Sequence, residues 1–380
     1  MKKVHRKLRG EGMTKLIDIT GKVMSGEWGS DDEFGSGIPV LRTTNFTNEG
    51  VVNFDNVVTR TITKKNISEK YLRCGDIIIE KSGGSDNQPV GRVIYYDGPE
   101  NTYLFNNFTG LLRVQNKNKW LPRYIFYSLF SNYRKGGTRK FENKTTGLHN
   151  LKTDDYVAKY EVTDAEYPMQ VKVCNSLDKI AKIIEKRKQQ LSALDDLIKA
   201  RFVEMFGDPV KNTQNRPTTE FVNVVKMQRG FDLPVQDRQQ NGTVPVFGSN
   251  GALDRHNAAK VQGGGVITGR SGTIGKVFYT EDDYWPLNTT LFSVDTHGNN
   301  VVYLAYLLEM FYLTILVEGT GVPTLNRNMF HNKQIIKVEK TEQKEFANFV
   351  TQIDKSKVAI QKALEKTQLL FDSLMQEYFG

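Results

Sequence analysis

Apolar residues recur in two stretches of the chain at alternating steps of three and four, the spacing that places them on one face of a helix. In residues 177–207 this apolar seam consists of Leu177, Ile180, Ile184, Leu191, Leu194, Ile198 and Met205. In residues 350–380 it consists of Val350, Ile353, Ile360, Leu364, Phe371, Leu374 and Tyr378. Good helix formers fill both stretches, so the pattern predicts two long helices whose seams pair as a coiled coil.

The ends of the two predicted helices are also alike. Both close with a Phe-Gly pair, at 206–207 and at 379–380, and Pro209 prevents any continuation of the first helix. At about 1.5 Å per residue the first helix is roughly 45 Å long, so it can act as a ruler as well as a core element. Arg187 and Arg201 interrupt the first seam, and Lys357 interrupts the second. Amphipathic helices are common, so the seams alone slightly favour two unrelated helices, and the preceding segments decide between the two interpretations.

The segments that precede the two helices repeat in order, type and spacing. Short strand-like runs come first, an aromatic and apolar patch predicted to be helical follows, and a polar loop comes last. The matching pairs are residues 15–20 with 220–225, 38–46 with 244–251, 75–98 with 264–280, 120–133 with 301–311, and 136–151 with 318–330. The chain is therefore predicted to be a domain and a helix duplicated once. Apolar strands, turn glycines and helices agree between the copies, whereas the polar loops differ, which indicates related roles on two different targets.

Length and composition agree with this organisation. A chain of 380 residues suits two domains plus connecting helices, and its net charge of +9 suits a polyanionic partner. Two distant cysteines, Cys74 and Cys174, make neither a disulfide framework nor a zinc set. No apolar run is long enough to span a membrane, and no apolar stretch follows the basic start as in a secretory signal. We expect a cytoplasmic, metal-free protein.

The segment 269–276, GRSGTIGK, superficially resembles a nucleotide-binding P-loop. Five residues rather than four separate its two glycines, and Val277 stands where a P-loop needs Ser or Thr. A strand-like run follows at once, where a P-loop would begin a helix. We therefore reject an NTPase and predict a hairpin whose glycine turn presents backbone N–H groups to phosphate. Its cationic and hydroxyl side chains are Arg270, Ser271 and Lys276, and those of the first copy are Lys81, Ser82 and Arg92.

The chain shows no catalytic pattern. It has no Asn-Pro-Pro-Tyr tetrad of the kind used by amino-methyltransferases, and residues 87–90, Asn-Gln-Pro-Val, are the nearest approach. Asp76, Glu80 and Lys81 superficially suggest a nuclease site, yet adjacent strand residues point to opposite faces. The histidines have no carboxylate or cysteine companions at ligand spacing. They are His5, His149, His256, His297 and His331.

Several loops carry side chains that suit the recognition of base edges or phosphates. Two of them follow equivalent predicted strands, and two more lie in the equivalent polar loops. In the first copy the candidate DNA-binding residues of these loops are Arg42, Thr43, Thr44, Asn45, Arg139, Lys140 and Lys144. In the second copy they are Ser249, Asn250, Asn326 and Arg327.

These features together resemble the DNA-specificity subunit of type I restriction–modification systems. The resemblance rests on the duplication, on the helix end RFVEMFGDP at 201–209, and on the paired segments GDIII…GRV and GGVITGRSGTIGKV. It implies an α+β fold, with two similar α/β target-recognition domains separated by two long antiparallel helices that form an intramolecular coiled coil. The expected domains are 1–170 and 209–340, and the expected helices are 171–208 and 341–380. The first copy departs from the glycine-turn pattern at Glu80-Lys81-Ser82-Gly83.

The resemblance also implies a function. The subunit would do no chemistry and would read a bipartite, asymmetric site in double-stranded DNA. It would dock two methyltransferase subunits, which bind S-adenosylmethionine and methylate adenine, and the complex can recruit motor-nuclease subunits. No cofactor in this chain and no membrane partner are expected.

Two other classes of function stay open at this point. One is a nucleotide-dependent enzyme built on the glycine turns, which binding of nucleotide or S-adenosylmethionine by the isolated chain would favour. The other is a structural scaffold with incidental DNA affinity, for which binding would show no sequence preference and a weak dependence on salt.

Overall fold

A computed structural model describes residues 12–145, 148–316 and 324–380, without the side chains of residues 144, 145, 315 and 316. The chain forms two compact units. The first unit comprises Met1–Lys186 and Leu364–Gly380, and the second comprises Arg187–Ala363. Each long helix is divided between the two units.

The first unit is built from short strands and three short helices. The strands are β1 (Met13–Lys15), β2 (Met24–Ser25), β3 (Ser30–Asp31), β4 (Ile38–Leu41), β5 (Val58–Thr61), β6 (Ile77–Glu80), β7 (Ser82–Gly84), β8 (Val93–Tyr95), β9 (Leu104–Phe105), β10 (Thr109–Leu112), β11 (Glu142–Thr145), β12 (Leu148–Leu151) and β13 (Glu161–Thr163). The helices are α1 (Leu16–Thr20), α2 (Pro122–Arg134) and α3 (Thr153–Lys159). Helix α4 (Tyr167–Phe206) begins in this unit and ends in the second.

The second unit repeats much of this order. Its strands are β14 (Thr218–Glu220), β15 (Lys226–Arg229), β16 (Val244–Gly248), β17 (Gly251–His256), β18 (Gly265–Gly269), β19 (Val277–Thr280), β20 (Trp285–Pro286), β21 (Thr290–Asp295) and β22 (Gln334–Ile336). Its short helices are α5 (Val301–Met310) and α6 (Asn328–His331). Helix α7 (Lys340–Phe379) begins here and ends in the first unit.

The sheets of the two units have the same topology, which confirms the internal duplication. The order β2-β10-β6-β8 of the first unit is matched by β15-β21-β18-β19 in the second. Likewise β5-β4-β9 is matched by β17-β16-β20, and β1-β13 by β14-β22. The central strands β6 and β18 are buried throughout, and they carry the apolar runs IIIE and GVITG. The first unit also contains a sheet of order β11-β12-β7. In the second unit, an isolated bridge between Ser271 and Thr324 stands at the equivalent place.

The two long helices run antiparallel, as predicted. Within the second unit, Arg187 on α4 donates a hydrogen bond to the Ala363 carbonyl on α7, and Arg201 forms an ion pair with Glu345 at 3.2 Å. Residue numbers thus rise along one helix as they fall along the other. All the predicted seam residues are buried or half-buried, whereas Leu369, which lies off the seam, is exposed. The mixed α+β fold with an intramolecular coiled coil is therefore confirmed.

Some local predictions were wrong. Residues 15–20 were expected to form a strand, but Leu16–Thr20 is helix α1, and the matching Phe221–Asn223 is a 3-10 turn. The buried Leu16 and Ile19 stand three residues apart, which is helical spacing rather than alternation. The polar loop predicted at 136–151 contains the antiparallel hairpin β11–β12. Strand β12 also pairs with β7, so the hairpin is part of a three-stranded sheet.

Candidate nucleic-acid interface

A parallel strand pair in each unit brings two loops to the same edge of a sheet. Strand β4 pairs with β9, and β16 pairs with β20, both in parallel. Carboxyl ends of parallel neighbours meet at one edge, so the segments that follow them are adjacent. The Asn106 N–H donates to the Leu41 carbonyl at 3.0 Å, and the Leu287 N–H donates to the Phe247 carbonyl at 2.8 Å. The loop after β4 and the turn after β9 thus lie side by side, and the second unit repeats the arrangement.

A third loop joins these two in each unit. The Lys81 N–H, just after β6, donates to the Phe108 carbonyl at 2.8 Å. The Arg270 N–H, just after β18, donates to the Thr289 carbonyl at 2.8 Å. We use the name convergent edge for these three segments together. It comprises residues 42–45, 81–84 and 106–108 in the first unit, and residues 249–250, 270–276 and 287–289 in the second.

In the second unit, five of the seven predicted DNA-binding residues lie on this edge, and the other two follow a residue that is bonded to it. Ser249 lies beside the glycine turn, since a Cβ on Gly272 would stand 3.6 Å from its hydroxyl oxygen. Lys276 Nζ lies 3.5 Å from Asn250 Oδ1. The Leu325 N–H donates to the Arg270 carbonyl at 2.8 Å, which draws the next residues of its loop to the turn. Those residues are Asn326 and Arg327.

The side chains on and next to this edge suit a nucleic acid, which offers both phosphates and base edges. Asn250, Lys276, Asn326 and Arg327 are exposed, and Ser249, Arg270 and Ser271 are half-buried. Cations grip phosphates, and amides can both donate to and accept from bases. The predicted hairpin is confirmed, because β18 and β19 pair antiparallel on either side of the turn. Its first glycine is required sterically, since a Cβ on Gly269 would lie 1.8 Å from the Thr273 carbonyl oxygen.

The first unit brings fewer of its predicted residues to a free surface. Lys81 Nζ donates to Ser25 Oγ at 2.9 Å, and burial lowers the pKa of its ammonium. Ser82 is half-buried in β7, where it pairs with Asn150. Arg139 and Lys140 are exposed, and Arg139 donates to the Asp86 carbonyl at 3.2 Å. The side chain of Lys144 lies outside the described part of the structure.

Asn45 and Arg92 are turned inward, contrary to their predicted role at the DNA. Asn45 is 2 % exposed, and its side-chain amide donates to the carbonyls of Asn53 and Asp55 at 3.0 and 3.2 Å. The Arg92 guanidinium donates to the Thr43 carbonyl at 2.9 Å. A second bond goes from Arg92 to the Phe46 carbonyl at 3.1 Å. These two side chains therefore stabilise the loop from inside, and other residues of the loop face solvent.

The neighbours differ in exposure. Thr44 is exposed, while Arg42 and Thr43 are half-buried. Arg42 Nη2 donates to the Asn56 carbonyl at 3.3 Å. Thr44 is therefore the most accessible of the predicted residues in this loop.

Two acidic residues with buried side chains lie near the first unit's added sheet. Burial raises the pKa of Glu80, and the nearby Arg92 guanidinium opposes that rise. Glu142 accepts a hydrogen bond from the Val90 N–H at 3.0 Å, and its other oxygen lies 3.0 Å from His149 Nδ1. These bonds tie the segment after β7 to the hairpin β11–β12. They are satisfied within the protein, so we regard them as structural.

Sequence reasoning missed the turn that completes the convergent edge. Residues 105–109, Phe-Asn-Asn-Phe-Thr, and residues 286–290, Pro-Leu-Asn-Thr-Thr, occupy equivalent places before β10 and β21. Each contains one short turn with an asparagine followed by a residue that differs between the copies. The shared Asn-X-Thr spacing was the available signal, and it is too short to stand out without the strand pairing.

Among residues 12–145, 148–316 and 324–380, no group of three or more His, Cys, Asp or Glu side chains is placed to hold a metal ion. Within the same ranges, no helix is both long and apolar enough to cross a bilayer.

Comparisons with known proteins agree with this geometry. Residues 211–369 match the family model of the type I restriction modification DNA specificity domain. A crystal structure of a type I restriction-modification system S subunit from M. genitalium is 14 % identical and has a TM-score of 0.59, over 97 % of this chain and 96 % of that one. A chain from a study of complex assembly and conformational transition of the type I R-M system is 12 % identical, with a TM-score of 0.56 over 97 % of both chains. No curated protein matches the sequence.

The structural matches establish a shared fold over the full length, and the family model identifies the domain in the second half. Residues 211–369 thus carry the type I restriction modification DNA specificity domain, and the fold of the chain is that of solved S subunits of type I restriction–modification systems.

Proposed function

We propose that each unit reads one half of a bipartite, asymmetric site in duplex DNA and that the chain thereby directs adenine methylation by partner subunits. The observation that carries this proposal is the repeated convergent edge: the same strands bring the same three segments together in both units. A repeated scaffold with a repeated basic edge supports two similar binding events.

The differences between the two edges support an asymmetric site. Phe108 in the first unit stands where Thr289 stands in the second. The first unit has the sheet β11-β12-β7 beside its edge, and the described residues of the second unit form a bridge from Ser271 to Thr324 at that place. Different side chains on the same backbone frame present different hydrogen-bonding groups to DNA, so the two half-sites should differ.

The proposed partners follow from the class of protein and from the repeat. We propose two methyltransferase subunits, which would bind the S-adenosylmethionine, and a further association with motor-nuclease subunits. The long helices are repeats of each other, so they offer two similar surfaces to two copies of one partner. No cofactor is proposed for this chain, and we propose that it acts in the cytoplasm.

The proposal is tested by co-expressing the chain with a modification subunit and mapping methylated adenines across a genome. We expect one motif with two different halves separated by a fixed gap. Replacing residues 38–151 by the equivalent span of a relative should change one half only. A continuous or palindromic motif, or a change in both halves after the exchange, would contradict the proposal.

A further inference from the structure

Phe108 is an exposed aromatic residue at the centre of the first unit's convergent edge. Its side chain is 53 % exposed, and it makes no ring contact with any other described residue. Its backbone is held in place, because its carbonyl accepts the Lys81 N–H at 2.8 Å. Single exposed apolar residues are common on protein surfaces, so the exposure alone has no meaning. The position of this one is what requires an explanation.

The segments bonded to the turn of Phe108 carry polar and cationic residues. The turn that carries it is bonded to the end of β4, from which Arg42 and Thr43 continue. Lys81 follows β6 on the other side, and Asn107 precedes Phe108 in the turn. The large apolar ring thus stands among groups that suit phosphates and base edges. Such a ring cannot bind phosphate, so its role on a DNA-facing edge would be an apolar one.

The second unit provides an internal comparison. Its equivalent turn is held by the same type of bond, from the Arg270 N–H to the Thr289 carbonyl, yet its tip is a threonine. The backbone is therefore conserved between the two copies within this chain, and the side chain at the tip is different. A residue that sets specificity is expected at such a position, where the backbone is the same in both copies and the side chain differs.

We infer that Phe108 contacts DNA directly and places its ring against the 5-methyl group of a thymine in the major groove of the half-site read by the first unit. This inference rests on the proposed function. The thymine methyl is the apolar group that base edges present in the major groove, and phenylalanine is among the residues that contact it. The ring would thus distinguish an A·T pair from a G·C pair at one position.

The test uses the full chain in complex with its modification subunits and a duplex that carries the mapped site. Each thymine of the first unit's half-site is replaced in turn by uracil, which removes only the methyl group. For the wild-type complex, one replacement should weaken binding about fourfold, the effect of losing one buried methyl-sized group. Phe108→Ala should weaken binding to the thymine duplex by a similar factor and should be insensitive to the same replacement.

Two matched variants control for exposure and for position. Phe34 is 87 % exposed in the same unit and precedes β4, whereas the convergent edge follows that strand, so Phe34→Ala should bind as the wild type does. Thr289→Ala should change the base preference only in the half-site that the second unit reads. Thermal unfolding of the two phenylalanine variants should match the wild type, because the side chains of Phe34 and Phe108 are exposed.

The outcomes separate this inference from the proposed function. A wild-type complex with no preference for the mapped site would overturn both. A specific wild-type complex whose Phe108→Ala variant still responds to uracil, or weakens equally on all sequences, would overturn the inference alone. So would a first half-site without an A·T pair, or a ring that wedges between base pairs and ignores the methyl group.

Discussion

At the scale of single residues, two buried glutamines tie the start of each long helix to the unit in which it begins. Gln170 accepts a hydrogen bond from the Leu121 N–H at 2.8 Å and donates to the carbonyls of Lys119 and Ala165. The matching Gln343 is equally buried. Its partners are Asn299, Asn300 and Val338. The sequence does not distinguish such a glutamine from any other polar residue of a helix. Its burial and its repetition in both units show that it orients the helix.

The protonation state of His331 offers a test of the second unit's stability. His331 Nε2 accepts a hydrogen bond from the Met227 N–H at 3.1 Å, which requires the neutral imidazole. Its pKa is lowered by burial first, and then by the positive charges of Arg327 and Lys226. The folded state therefore resists a proton that the unfolded chain accepts, so stability is lost as pH falls below the ordinary histidine value of 6.5.

We expect the free energy of unfolding of the second unit to be smaller at about pH 5.5 than at about pH 7.5. His331→Gln should reduce this dependence on pH, because glutamine does not titrate. Urea unfolding of the full chain at both pH values, followed by hydrogen exchange in residues 187–363, measures the effect. An unchanged pH dependence in the variant would contradict the assignment.

The same histidine reports on Arg327, one of the predicted DNA contacts. Arg327→Gln removes a positive charge, so it should raise the pKa of His331 toward its ordinary value. A phosphate bound by Arg327 should act in the same direction. NMR titration of the His331 imidazole with and without duplex DNA checks both expectations. A pKa that stays constant on DNA binding would place the phosphate away from Arg327.

At the scale of elements, the seam of the coiled coil tolerates polar interruptions because they are satisfied across the helix pair. Arg187 donates to the Ala363 carbonyl, and Lys357 Nζ bonds to Asp195 in the second unit. Long cationic side chains can cover apolar surface with their stems while the charged ends reach polar partners. The interruptions therefore leave the rest of the seam intact.

Two adjacent residues on α4 test the predicted seam. Ile198 is fully buried in the second unit's core, whereas Leu197 is 45 % exposed. Ile198→Ala should lower the free energy of unfolding of this unit by about 2–5 kcal/mol, since it leaves a cavity. Leu197→Ala should change it by less than about 0.5 kcal/mol. Chemical denaturation of both variants compares them, and similar losses would contradict the orientation of the helix.

At the scale of the whole molecule, the first unit is built from two distant parts of the chain. Residues 364–380 contribute Phe371 and Met375 to its core. The ring of Phe379 packs 5.2 Å from that of Tyr124, centroid to centroid. In the second unit, Phe206 packs at the same distance from Tyr303. The matched Phe-Gly helix ends thus serve the same purpose in both units.

A chain that ends at Ala363 should lose the first unit and retain the second. Removing Phe371 and Met375 alone costs about 2–5 kcal/mol for each, a large part of the ~5–15 kcal/mol that stabilises a typical domain. Hydrogen exchange should rise throughout residues 12–186 and stay slow in the core of residues 187–363. The full-length variant with Leu369→Ser and Leu370→Ser, two exposed positions on the same segment, should exchange as the wild type does. Equal loss of both units would contradict the division.

Much of the architecture follows from local patterns that occur twice. The seam, the glycine that ends α4 at a φ of 75°, and the apolar strands β6 and β18 are each readable from a few neighbouring residues. A repeat doubles the strength of each such signal, so the duplication and the helix pairing could be predicted from the sequence. The strand-like reading of residues 15–20 failed because so short an apolar run has no decisive period.

The sequence alone thus determined the duplicated scaffold, the two paired long helices and the cationic loops, because hydrophobic periodicity and turn residues act over short distances. Only the tertiary structure decided which loop residues face outward. Asn45 and Arg92 turned inward to satisfy backbone carbonyls, and the turn at 106–108 reached the edge through the parallel pairing of β4 with β9. Those choices depend on hydrogen bonds between residues far apart in the chain, and no local pattern records them.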